Sequence, residues 1–379
     1  MSNTIQIIDL PSGDRGKFST DSLNSPTLPS RYYTDNNIYD DELKKVHQRA
    51  WNYTGHVTDV VERGSYFTDT VAGQPIVIVK GQDDIIRAFF NVCAHRGHEL
   101  LTGKGKLKGK GIVCPYHAWF YKTDGTLQRA RLTEHIKDFD TSEYSLREIS
   151  IAFSAGLIFV NLDKDCEPFD KSMSGFGPSL QKYLPNIENF VAAHRLSYDI
   201  NANWKVVVDN FSEAYHIPIA HPQLAKVLEQ EAADIMLEDR WTFNGFRSRT
   251  GFEGLELEPG LPYCAWQAWP NICMLSLPGS ENLIVLRMSP NGVGKCSERV
   301  DVYTPKGDAE NDPKLLAVRD LFMNMFNQED IAIVESVQRG LSSLGYDQGR
   351  YICDAEQSWF TEAQLHWLHM QVLEALAKD

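Results

Sequence analysis

The feature that most constrains this chain is a pair of short loops, Cys93-Ala-His95-Arg-Gly97 and Cys114-Pro-Tyr-His117, each carrying one thiol and one imidazole. Each follows a β-rich run, Ala88–Val92 before the first and Gly111–Val113 before the second. Two such loops can close over one inorganic centre and offer it a Cys2His2 donor set. A [2Fe–2S] cluster can use such a set, with two cysteines on one iron and two histidines on the other. A structural zinc site uses the same donors, but it usually takes the cysteine pair from one element and the histidine pair from another. Mixed loops therefore favour the cluster. The other cysteines, Cys166, Cys264, Cys273, Cys296 and Cys353, read as small buried apolar residues. Seven cysteines spread over a long chain do not make a disulfide framework.

A chain of 379 residues, 42% hydrophobic and 23% charged, has room for two cores. Proline and small polar residues make 1–44 an irregular arm with a helix, expected over Asp40–Trp51, that packs on the catalytic region. Residues 45–165 carry short apolar runs such as Pro75–Val79 and Gly156–Val160 between glycine and aspartate turns. Residues 166–379 mix strands (Trp241–Phe243, Asn271–Leu275, Leu283–Leu286, Arg299–Val302) with helices (Trp204–Ala214, Pro313–Phe326, Glu329–Gly340, Thr361–Leu376). The fold class is α+β. A formal net charge of -14 disfavours nucleic acid and anionic membrane surfaces as partners. No apolar run has the length of a transmembrane span, and the N-terminus lacks the order of a secretory signal, so a cytoplasmic protein is expected.

A second constellation lies in Asn203–His221. His216 and His221 are five apart, about 140° on a regular helix, and Pro218 between them is expected to break that helix and let the imidazoles converge. Two histidines and one carboxylate make the facial triad of non-haem Fe(II) sites. Glu329, Asp330 and Glu335 are candidate carboxylates, and chemistry alone does not choose among them. The zincin spacing His-Glu-x-x-His is absent.

Together, Asn91-Val-Cys-Ala-His-Arg-Gly-His98 and Cys114-Pro-Tyr-His-Ala-Trp119 resemble the signature of the Rieske-type non-haem iron oxygenases, and the resemblance runs from about Tyr32 onward. It implies a β-rich Rieske domain and a catalytic domain of helix-grip type, an antiparallel sheet flanked by helices. It assigns the cluster to Cys93, His95, Cys114 and His117, and the mononuclear iron to His216, His221 and Asp330. Glu213, taken with Asn210 as a catalytic-site residue, falls where family members hydrogen-bond a Rieske histidine of a neighbouring subunit, here His117, which implies a homotrimer. Electrons are implied to come from NAD(P)H through a separate flavin and iron–sulfur reductase, with or without a ferredoxin. Ala118 stands where glycine is more usual, a change tolerated unless the position needs positive φ.

Val334–Arg350 is similar to the branch acting on quaternary ammonium compounds, which implies N-demethylation through an unstable carbinolamine. The alternative is hydroxylation of an aromatic ring or O-demethylation of an aromatic acid. Tyr263, Trp266 and Trp269 are candidate faces for a methylammonium group. The lysines of Gly103–Gly111 are candidates for steering an acidic electron donor, with Lys104 and Lys108 the positions to reverse.

Overall fold

The run Pro75–Val79 becomes a central strand because both of its faces are covered. Ile76 and Ile78 enter one apolar cluster, Val77 and Val79 another, and all four are fully buried. Each contributes about 1.5–3 kcal/mol relative to an exposed position. In this computed structural model, described over residues 15–248, 262–278, 281–305, 313, 316–317, 320 and 322–378, that strand is β3 (Gln74–Lys80). It lies in a seven-stranded antiparallel sheet with β1 (Asn52–His56), β2 (Ser65–Val71), β4 (Ile86–Phe90), β5 (Lys104–Lys106), β9 (Glu148–Ser154) and β10 (Leu157–Asn161). The order is β1-β10-β9-β4-β3-β2-β5. A three-stranded sheet of β6 (Gly111–Val113), β7 (Phe120–Lys122) and β8 (Leu127–Arg129) lies beside it.

The second lobe is built on β11 (Val191–Ile200), β12 (Leu228–Leu237), β13 (Trp241–Ser248), β14 (Tyr263–Ala268), β15 (Ile272–Ser276), β16 (Leu283–Pro290) and β17 (Cys296–Thr304). They pair antiparallel in the order β11-β17-β16-β15-β14-β13-β12. Strand alternation gives this sheet two apolar faces. Residues such as Tyr263, Leu275, Leu286 and Val300 meet the helices Trp204–Phe211, Asn327–Leu341 and Ala363–Ala377. Cys264, Trp266, Met274 and Val285 meet Phe159, Phe176 and the rest of a core shared with the first lobe.

The lobes are locked by buried charge. Asp69 on β2 takes both terminal nitrogens of Arg287 at 2.8 Å and Nη1 of Arg299 at 3.0 Å. Tyr53 on β1 donates to Asp301 at 2.6 Å, and Arg287 also donates to the Tyr53 carbonyl at 2.7 Å. Lys104 joins this seam by bonding Asp59 at 2.8 Å, and Lys106 pairs with Glu62. Reversing Lys104 would therefore disturb the lobe junction, which makes it a poor probe of donor steering; Lys108 is the better one.

The helix expected over Asp40–Trp51 begins earlier, at Asn36, and after Glu42 widens into one π turn over Leu43–His47. The expected Pro313–Phe326 helix lies mostly outside the described residues, where only its end, Phe322–Phe326, forms a described π turn. From Arg15 onward the arm packs against the C-terminal part of the chain, with Phe18 stacked on His366 and Pro26 bridging to Arg350. Its deepest anchor is Glu42. The Lys205 ammonium lies 2.7 and 2.8 Å from its two oxygens, the Trp204 indole donates at 2.9 Å, and both charged side chains are buried. Because Trp204 and Lys205 open the helix leading to the second constellation, Glu42→Ala would leave Lys205 buried and unpaired. It should lower unfolding stability by about 3–5 kcal/mol, read by denaturant titration, whereas Glu42→Gln should cost less.

Candidate metal centres

The two Cys/His loops fold the same way. Cys93 N–H donates to the His98 carbonyl at 2.8 Å and its own carbonyl accepts from Gly97 at 3.0 Å; Cys114 N–H donates to the Trp119 carbonyl at 2.8 Å and its carbonyl accepts from Ala118 at 3.0 Å. Closing each turn requires a left-handed residue four positions after the cysteine. Gly97 has φ 70° and Ala118 φ 57°. The alanine thus occupies a position that does need positive φ, contrary to the tolerance expected from sequence, at a cost of about 1–2 kcal/mol.

Cys93 and Cys114 are buried at the loop bases, and His95 is exposed at the tip. The imidazole centroids of His95 and His117 lie 4.7 Å apart, and Trp119 stacks on His95. Tyr121 accepts from Ala94 N–H at 3.1 Å, and its hydroxyl lies 3.2 Å from Cys93 Sγ. His117 Nδ1 is buried with no partner among the described residues. Two thiols and a ligand nitrogen left open beside them fit an iron–sulfur cluster held by these four residues. Nothing in the sequence marked Tyr121, which reaches the first loop only because β7 folds back beneath it.

At the second constellation, His216 precedes and His221 follows the single helical turn Ile217–Ala220. Pro218 sits in that first turn, where its missing N–H is not needed, and does not break it. The break comes one step later: Pro222 opens the next helix and forces His221 out of the helical region, to φ -124° and ψ 63°. The imidazoles converge for that reason, with centroids 5.2 Å apart.

Asp330, in the first turn of the Asn327–Leu341 helix, meets both. Its Oδ1 lies 2.9 Å from His221 Nε2 and 3.7 Å from His216 Nε2, and among the described residues this trio forms a group whose donor atoms all lie within 4.8 Å. Each histidine is oriented by a carboxylate on its other nitrogen. His216 Nδ1 bonds Glu213, which also accepts from the His216 backbone N–H at 3.1 Å, and His221 Nδ1 donates to Glu329 at 2.6 Å. Burial opposes charge on His221, but Asp330 and Glu329 outweigh it and raise its pKa. Two imidazole nitrogens and one carboxylate oxygen, with outer carboxylates fixing the rings, fit an iron of facial-triad type. Of the three candidate carboxylates, Asp330 faces both rings, Glu329 holds the back of one, and Glu335 instead bonds Asn201 at 3.0 Å.

The pocket around this group is walled by Asn210, Phe211, Glu213, Tyr263, Phe322 and Phe326, and the Asn210 Nδ2 is buried without a partner among the described residues. Tyr263 faces in. Trp266 does not, because an odd–even shift along β14 turns it to the opposite side, where it donates to Ser179 at 2.9 Å. Trp269 lies beyond the strand end, lining a separate cleft with Arg240 and Met173. If Glu329 sets the His221 ring, Glu329→Gln should weaken ferrous iron binding by roughly 10-fold or more and leave cluster absorbance unchanged. Equilibrium iron titration of the apo-protein measures it, and unchanged affinity would contradict the assignment.

Residues 50–140 match the Rieske [2Fe-2S] domain, and residues 187–377 match the ring hydroxylating alpha subunit (catalytic domain). The chain is 34% identical over 340 residues to the carnitine monooxygenase oxygenase subunit of Acinetobacter baumannii, covering 89% of this chain and 91% of that one. It is 28% identical to the chloroplastic choline monooxygenase of Beta vulgaris, over 92% of this chain and 77% of that one. A solved quaternary ammonium Rieske monooxygenase, studied for carnitine oxidation and inter-subunit electron transfer, superposes with a TM-score of 0.89 at 31% identity, covering 97% of this chain and 99% of that one. With two iron-binding donor sets on two matching domains, the chain belongs to the Rieske non-haem iron oxygenases, oxidoreductases that incorporate dioxygen, as an alpha subunit.

Proposed function

We propose that this chain is the oxygenase component of a cytoplasmic, multicomponent monooxygenase acting on a quaternary ammonium compound. The observation that carries the substrate class is the pocket wall. Four aromatic rings, Phe211, Tyr263, Phe322 and Phe326, surround the His216/His221/Asp330 group together with Glu213, and no lysine or arginine is among the described lining residues. A quaternary nitrogen has no N–H to donate, so ring faces and nearby carboxylates are what attract it. An aromatic acid, the competing substrate class, would bring a carboxylate that needs a cationic or hydrogen-bonding partner. The sequence kinship with carnitine and choline monooxygenases supports the same class.

When bound, the iron at His216, His221 and Asp330 supplies dioxygen activation, and the cluster at Cys93, His95, Cys114 and His117 supplies electrons. The chain's own residues set the geometry. Glu213 and Glu329 hold the Nδ1 atoms so that both Nε2 atoms point inward, and the apolar wall excludes bulk water. Hydroxylation of a carbon next to the quaternary nitrogen gives a carbinolamine, which expels a tertiary amine and leaves an aldehyde; an N-methyl carbon leaves as formaldehyde.

Electrons are proposed to come from NAD(P)H through a separate reductase and to cross between subunits, with Glu213 meeting His117 of a second copy. Two surfaces support a head-to-tail contact. Tyr116 and Leu132 are exposed on the first lobe, Tyr116 beside His117, and Tyr215 and Ile219 are exposed beside Glu213. Such a contact closes as a ring, here a homotrimer.

The test is product analysis with iron-loaded, chemically reduced protein in air, across carnitine, glycine betaine, choline, proline betaine and several aromatic acids. Tertiary amine with its aldehyde is expected from an ammonium compound alone. A hydroxylated aromatic product instead would overturn the substrate class. In the same assay Glu213→Gln should keep both iron centres, yet its reduced cluster should no longer be reoxidised when substrate and dioxygen are added. Unchanged reoxidation would remove the bridge.

A further inference from the structure

Behind Asp330, on the helix-facing side of β17, Glu298 is fully buried with Cys296, Val300 and Val302 on its own strand face. Its cross-strand neighbours are Tyr198 on β11 and Met288 on β16. The titratable groups that face it are Asp330, Tyr198, Cys273 and Cys296, and no cation is among them. Its one described partner is Asn327, itself fully buried, whose Nδ2 donates to Glu298 Oε2 at 2.9 Å.

The remaining atoms of this pair do not balance. Glu298 Oε1 and Asn327 Oδ1 are both buried without a partner, and an ionised carboxylate and an amide oxygen are both acceptors. Two unpaired acceptors and an uncompensated charge in an apolar core make a costly arrangement. A single proton on Oε1 resolves it, because the acid O–H can then donate to the amide oxygen.

We infer that Glu298 is a neutral carboxylic acid closed on the Asn327 side chain by two reciprocal hydrogen bonds, and that this ring seats the first turn of the helix that carries Asp330. Asn327 is the first residue of that helix and Asp330 lies three residues on. The pair therefore acts as a positioning element for the metal carboxylate, and it adds no second negative charge beside it. Burial is the main force raising the Glu298 pKa, opposed by the Asn327 bond and aided by Asp330, and brings it to about 7. Since the raised group favours the protonated folded state, its contribution to stability is full below the ordinary glutamate range and is lost as pH rises through about 7.

The test uses the full-length protein and Glu298→Gln, which reproduces the two-bond ring with an amide and cannot ionise. Infrared difference spectra of wild type against Glu298→Gln at mildly acidic pH should show, for wild type only, the carbonyl band of a protonated carboxylic acid, shifted down in D2O. Ferrous iron affinity of Glu298→Gln should stay within about 2-fold of wild type, while Glu298→Leu, which leaves the Asn327 amide unpaired, should lose roughly 10-fold. The Gln variant should also lose the fall in unfolding stability above neutral pH. Carboxylate bands in place of the acid band, or a Gln variant that loses iron as the Leu variant does, would overturn the inference. The infrared arm needs no bound metal and no substrate, so its result stands apart from the functional reading.

Discussion

A carboxylate buried as deeply as Asp330 has to be paired, and its pairing with two imidazoles more than a hundred residues upstream is the constraint around which the second lobe is arranged. It requires the short turn between His216 and His221, with Pro222 to end it, and a long helix docked across the open face of the sheet. It also requires outer carboxylates on both histidines. Those demands explain why so many buried polar groups, Glu42, Lys205, Glu298 and Asn327 among them, collect on this side of the sheet.

The other face of the same sheet solves a different problem, the attachment of the cluster-bearing lobe. A shared apolar core built around Trp266, Phe159 and Phe176 supplies the area, and the Asp69–Arg287–Arg299 and Tyr53–Asp301 contacts supply direction. Apolar contact alone is tolerant of small rotations. Paired guanidiniums and carboxylates are not, so the seam holds the cluster loops at a defined orientation relative to the catalytic sheet. An enzyme that passes electrons between centres depends on such fixed orientation.

Much of this was legible in the sequence where local chemistry decides it. The mixed Cys/His loops, the apolar run of β3 and the His216/His221 pair could be read from residue type and spacing. The choice of Asp330 over Glu329 came from family resemblance; the geometry adds that Glu329 is one helical step away and turned to the far side of the His221 ring. What escaped is what depends on alternation and distant pairing. Trp266 looked like an aromatic wall until strand parity turned it outward, and Pro218 looked like the helix break when the residue before Pro222 was the one displaced. Ala118 could not reveal its φ, and Lys104 could not reveal that its partner was Asp59, because both facts belong to the assembled fold.

The most direct test of the central claim, two separate iron centres in one chain, is metal and sulfide stoichiometry of anaerobically purified protein, wild type against Asp330→Ala. Wild type should hold about three irons and two acid-labile sulfides per chain, and the variant should lose one iron while keeping both sulfides and its cluster spectrum. An unchanged iron count in the variant, or stoichiometric zinc without sulfide in the wild type, would contradict the account.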